Sequence, residues 1–184
     1  HLLLQENNAS KIGVLILSTD KGLAGALNTN IFRATTQFLS SSHMSSGNVD
    51  FYTLGKKARL FVVKMGKNLI ADFENSDTAT FRQATQISRL AIESFLNGEI
   101  SSFNIIYPDF VSTLRQEARV VKLLPVDPEG LSKVLTSQLD NGKTSKRDNE
   151  RANSEFLFEP DVDSLLDYIL THFVETKIYQ ALLE

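Results

Sequence analysis

The residues best placed to do chemistry lie between an apolar run, Ile12–Leu17, and the helix-forming residues that follow it: Ser18-Thr19-Asp20-Lys21-Gly22-Leu23-Ala24-Gly25-Ala26-Leu27-Asn28. In α/β proteins a glycine-bearing turn from a buried strand into a helix gathers backbone N–H groups on a phosphate. Dinucleotide binding asks for three glycines spaced G-x-G-x-x-G and for an acidic residue at the end of the second strand, to hold the ribose. Here only Gly22 and Gly25 stand in the turn, and the second apolar run ends in Leu54-Gly55 without a carboxylate. The Walker pattern G-x-x-x-x-G-K-[ST] does not occur. The pair therefore reads as a tight, closely packed turn or a protein contact. A stand-alone α/β nucleotide-binding enzyme using the Gly22–Gly25 turn is the alternative.

Other reactive groups give less. His1, His43 and His172 are far apart in sequence, none with a partner at metal-ligand spacing. Ser18, Asp20 and His172 supply the types of a hydrolytic triad, but no G-x-S-x-G elbow presents the serine. The chain has no cysteine, which removes disulfides, thiolate nucleophiles and cysteine-bound metals. No cofactor or metal is expected. Lys56, Lys57, Arg59, Lys64 and Lys67 cluster on one helix and its exit, but without interleaved surface aromatics. With a net charge of −3 they read as a solvated face, so no nucleic-acid partner is expected. Phe156 and Phe158, ahead of Glu159-Pro160-Asp161, fall on one side of an extended segment. On chemistry alone they are equally a core strand or the rim of a contact surface.

The elements that position these groups follow from periodicity. Ile12–Leu17 and Val49–Leu54 read as buried parallel strands and Leu69–Phe73 as a third. Asn28–Leu39, capped by Asn28 or Thr29, a basic helix from Gly55 to Met65, and Thr80–Leu96 alternate with them. Phe103–Val111 and Gln116–Leu124 leave no room for a crossover helix and should pair as an antiparallel hairpin. The expected fold is α/β: a Rossmann-like open sheet, mainly parallel with an antiparallel hairpin at one side, helices on both faces. We expect one domain over residues 1–184, with 127–154 a mobile loop holding a short helix near Leu131–Leu139. Glu155–Glu159 reads as a last strand and Pro160-Asp161 as the start of a final helix. At 42% hydrophobic and 22% charged residues, the composition is that of a globular domain rather than a disordered or membrane-spanning chain.

The last helix carries Val162, Leu165, Leu166, Ile169, Leu170, Phe173, Val174, Ile178, Ala181 and Leu182 at helical spacing up to the final residues, with no stop signal. Helices are accordingly expected to continue from both ends.

Two segments together carry a resemblance. STDKGLAGALNTN near the start and FLFEPDVDSLLDYILTHFVETKIYQALLE at the end resemble the gamma subunit of F-type ATP synthases. The family's first pattern is close to S-D-[KR]-G-L-C-G-x-[LY]-N after a strand. Its second opens on aromatic–x–aromatic–E-P-[DN] and continues into a helix whose core here is Phe173, Val174, Glu175, Thr176, Ile178 and Tyr179. TLRQEARVVKLLP, Thr113–Pro125, is similar to the family's hairpin strand. Ala24 stands where many members have cysteine, Ala26 where glycine is common, and Thr176 for the usual serine.

The resemblance implies a non-catalytic central-stalk (rotor) subunit of a proton-translocating synthase, its α/β domain set between long shaft helices. It implies that Asp20, Lys21, Gly22, Leu23, Ala24, Gly25 and Asn28 face the catalytic ring of alpha and beta subunits. Phe158, Glu159, Pro160 and Asp161 would lie at the foot, near the membrane rotor ring and the epsilon-type subunit. The implied location is peripheral, on the cytoplasmic face of the bacterial inner membrane rather than on an organellar inner or thylakoid membrane.

Overall fold

The computed structural model describes residues 1–20, 26–42, 47–75, 78–112, 115–133 and 162–184. Among the described residues five strands form one sheet: β1 (Ile12–Leu17), β2 (Val49–Leu54), β3 (Asn68–Phe73), β4 (Phe103–Ser112) and β5 (Arg115–Leu124). Their order is β3-β2-β1-β4-β5. β1 pairs parallel with β2 and β4, β2 pairs parallel with β3, and β5 closes the far side antiparallel to β4. The order reverses beside β1, which places the topological switch point at the C-terminal ends of β1 and β4. The long helices among the described residues are α1 (Leu27–Ser41), α2 (Lys56–Lys64), α3 (Phe81–Leu96) and α4 (Val162–Leu183). The Rossmann-like α/β reading therefore holds, hairpin included.

Strand alternation builds two cores. Leu15, Leu17, Tyr52, Leu54 and Ile105 face α3 and α4, while Val14, Ile16, Phe51 and Ile106 face α1 and α2. β1 and β2 are buried along their whole length, as strands covered on both faces must be. On the first face, Ala84, Ile87, Ala91 and Phe95 of α3 meet Leu170, Val174, Ile178 and Ala181 of α4. The buried stripe of α4 is thus narrower than its apolar pattern, and Val162 is exposed. On the second face, Phe32 of α1 stacks on Phe61 of α2 with ring centroids 4.3 Å apart.

Several boundaries move relative to the sequence pattern. The helix after β1 starts at Leu27 with Ala26 at its cap and no side-chain capping bond. Asn28 does not cap it, because its side chain turns back to the strand exit. β3 begins at Asn68, and β5 at Arg115. A helical turn spans 128–133, seeded by Asp127, whose carboxylate accepts the N–H groups of Glu129 and Gly130 at 3.1 Å each. The expected loop beyond 133 and the strand Glu155–Glu159 lie outside the described residues. Edge strand β3 slips register between the partners of Phe51 and Tyr52, leaving Ile70 as a bulge.

The core includes a titratable phenol, Tyr52. Burial pushes the Tyr52 phenol above its ordinary value of 10.0, against a bond to Ser94 Oγ at 3.1 Å that favours ionisation. Ionising this phenol costs more in the fold than in the unfolded chain. Its stabilising share is therefore full below pH 10 and lost as pH rises beyond it. Stability measured by urea unfolding is expected to fall above pH 10, and Tyr52→Phe to flatten that fall. An identical decline in both proteins would remove Tyr52 as its source.

Candidate functional site

The glycine turn leaves β1 at the switch point, where open α/β sheets bind ligands. Lys21, Gly22, Leu23, Ala24 and Gly25 lie outside the described residues, but both flanks of the segment are defined. Asn28, buried in the first turn of α1, accepts the Thr19 N–H on Oδ1 at 3.2 Å and donates from Nδ2 to the Thr19 carbonyl at 3.4 Å. Asn75 Nδ2 donates to the Ser18 carbonyl at 3.3 Å. The exit from β1 is thus held by side chains from two other segments.

Its polar side chains point toward β2 and α2. Ser18 Oγ donates to the Leu54 carbonyl at 3.2 Å and accepts the Ala58 N–H at 2.9 Å. Asp20 Oδ1 accepts the Lys56 N–H at 2.6 Å. Between them sits Gly55 at φ 96°, ψ 146°, a region open in practice only to glycine. A Cβ there would lie 2.5 Å from the Ser18 carbonyl oxygen, 2.6 Å from Ser18 Oγ and 3.1 Å from Asp20 Oδ1. The N-terminus of α2 is thus met by the chain's own carboxylate and hydroxyl.

The remaining candidates do not converge. Ser18 and Asp20 bond to α2, whereas His172 Nδ1 lies 3.6 Å from Glu175 and its ring stacks on Tyr168, so the three form no relay. His1 binds Asp167 at 2.6 Å through Nε2 and accepts the Leu3 N–H on Nδ1, while His43 lies outside the described residues. Buried Asp50 accepts Lys11 Nζ at 3.2 Å and Asn68 Nδ2 at 2.7 Å, a structural use of a carboxylate. α2 buries Ala58 and Val62 and turns Lys56, Arg59 and Lys64 outward, Arg59 reaching Asp72 at 3.4 Å. Among the described residues no three His, Asp or Glu groups could hold a metal ion. A cavity of about 170 Å³ between β5 and α4, lined by Val121, Leu123, Asp127, Phe173 and Lys177, is small beside ordinary ligand pockets of ~300–1,000 Å³. Phe158, Glu159, Pro160 and Asp161 lie outside the described residues.

Among the described residues the candidate groups do not converge, and comparison with known proteins decides the family. The family model described as ATP synthase matches residues 1–184, the entire chain. The chain belongs to the ATP synthase family, in its gamma-chain branch. It is 28% identical over 185 residues to the ATP synthase gamma chain of Legionella pneumophila (strain Corby), covering all of this chain and 59% of that one. It is 34% identical over 191 residues to the ATP synthase gamma chain of Methylacidiphilum infernorum (isolate V4), covering all of this chain and 60% of that one. The chain therefore spans about three-fifths of the length of these curated relatives. In fold it is similar to a chain from the central stalk and c-ring of the Tetrahymena thermophila mitochondrial ATP synthase. There the TM-score is 0.68 at 17% identity, covering 97% of this chain and 71% of the other.

Sequence reasoning missed the bond between Asp20 and α2. A signal was present: α2 starts after a glycine, and its first turn carries no acid, so its cap had to come from elsewhere.

Proposed function

We propose that this chain is the globular part of a non-catalytic central-stalk subunit, which transmits rotation between a proton-driven membrane ring and ATP-forming subunits. The observation that carries this reading is the match to the ATP synthase family along the whole of residues 1–184. It fits the N-terminus of α2, where the chain's own Asp20 and Ser18 take the Lys56 and Ala58 N–H groups that could otherwise bind an anion. A part that carries torque must resist twisting, and a sheet packed between two helical layers suits that task.

In this reading the segment Asp20–Asn28 touches the catalytic ring of alpha and beta subunits. The segment Phe158–Asp161 touches the membrane rotor ring and an epsilon-type subunit. The subunit acts without a cofactor, peripherally, at the cytoplasmic face of the bacterial inner membrane. Among the described residues no helix is long and apolar enough to cross a membrane.

Reversing charge at each contact tests the reading in assembled complexes of the full-length subunit. Glu159→Lys is expected to weaken docking to the rotor ring, and Lys21→Glu to alter the contact with the catalytic ring. Proton-coupled ATP synthesis and subunit content are the readouts. Full synthesis with normal subunit content in Glu159→Lys complexes would sink the foot assignment, and the same result in Lys21→Glu complexes the ring assignment.

A further inference from the structure

α4 covers the sheet unevenly. Its Leu170, Val174, Ile178 and Ala181 are buried in the core it shares with α3, while Phe173 and Lys177, one turn apart, line the cavity of about 170 Å³ beside β5. β5 contributes Val121 and Leu123 to the same wall, so the lining is mainly apolar. An apolar space offers water few partners, and one of ~150 Å³ is enough to admit a benzene ring. The volume excludes a nucleotide or any other large ligand.

The cavity also has cations. Lys122 lines it from β5, and Lys177 Nζ lies 5.6 Å from the centre of the Phe173 ring, a cation–π contact that keeps the ammonium beside the apolar wall. Among the described residues neither lysine is in an ion pair. The acids close to them in sequence or across the strand pair are engaged elsewhere, Glu175 with His172 at 3.6 Å and Asp109 with Arg119 at 2.7 Å. Asp127, which also lines the cavity, spends its carboxylate on the Glu129 and Gly130 N–H groups at 3.1 Å each.

We propose that this cavity binds a small carboxylic acid bearing one compact apolar group of about the size of a benzene ring. The apolar group fills the space lined by Val121, Leu123 and Phe173, and the carboxylate meets Lys122 and Lys177. A ligand bound there bridges α4 and β5. The site stands apart from the rotor reading and from the contact segments named in it.

Benzoate titrated into the full-length chain tests the site, read by the methyl NMR signals of Val121 and Leu123. Benzoate carries ring and charge, benzyl alcohol the ring alone, and acetate the charge alone. At low salt benzoate should bind about 10-fold tighter than either, the worth of a charge-assisted bond on one side and of a buried ring on the other. Added sodium chloride should narrow its lead over benzyl alcohol, because the lysines are screened. Joint replacement by Lys122→Gln and Lys177→Gln should bring benzoate down to the level of benzyl alcohol. Val121→Phe, which fills the space, should abolish the Leu123 response to both. If Val121→Phe fails to fold, the double lysine variant carries the test. Methyl signals that ignore benzoate, or benzyl alcohol or acetate binding as tightly as benzoate, would overturn the proposal, as would a double lysine variant that binds benzoate like the wild type.

Discussion

Gly55→Ala is expected to cost about 2–6 kcal/mol of folding stability, the sum of backbone strain and overpacking. The φ of 96° with ψ of 146° belongs to a region that side chains enter only under strain. The new methyl would also meet the Ser18 carbonyl oxygen at 2.5 Å and Ser18 Oγ at 2.6 Å. Neither neighbour can retreat cheaply. Ser18 N–H and Oγ both bond the Leu54 carbonyl, and Oγ also holds the Ala58 N–H. Gly66, at φ 63° with nothing within 4 Å of a built Cβ, separates the two terms, since alanine there incurs the backbone cost alone. Urea unfolding of Gly55→Ala and Gly66→Ala should show the larger loss at Gly55. Equal losses would mean that the Ser18 contact relaxes freely.

Ile178→Ala should lower stability by about 2–5 kcal/mol, the range for truncating a large core side chain. Ile178 is fully buried at the seam where α4 meets Ala84, Ile87 and Ala91 of α3. Two of those three partners are alanines, which let the helices approach closely and leave little side chain to refill a void. Val162→Ala on the same helix provides the contrast, because Val162 is 54% exposed and should stay within about 0.5 kcal/mol. Matching unfolding midpoints for the two variants would contradict the seam. A weakened seam would also loosen α4 from the sheet, so in the proposed rotor the same substitution should make torque transfer more compliant.

Much of this was legible in the sequence. Ile12–Leu17 and Val49–Leu54 are unbroken runs closed by turn residues, and the structure keeps both spans as read. Thr80 caps α3 as a local rule requires, accepting the Gln83 N–H at 3.3 Å. Local rules failed where the partner was remote. Asn28 has the right chemistry for a cap, but it serves the neighbouring strand exit. The cap of α2 comes from Asp20, a pairing created only when β1 and β2 lie side by side. In α4 the apolar pattern named more faces than α3 and the sheet can cover, since periodicity reports what can be buried and not how much cover exists.

The slipped register of β3 has a meaning for the molecule before it meets any partner. A regular outer strand offers a row of unpaired amides and carbonyls on which another chain can crystallise. The bulge at Ile70 breaks that row on one border of the sheet, while exposed Arg119 and Lys122 bring charge to β5 on the other. A newly made copy is thus poorly suited to recruit its own kind, and remains available for assembly.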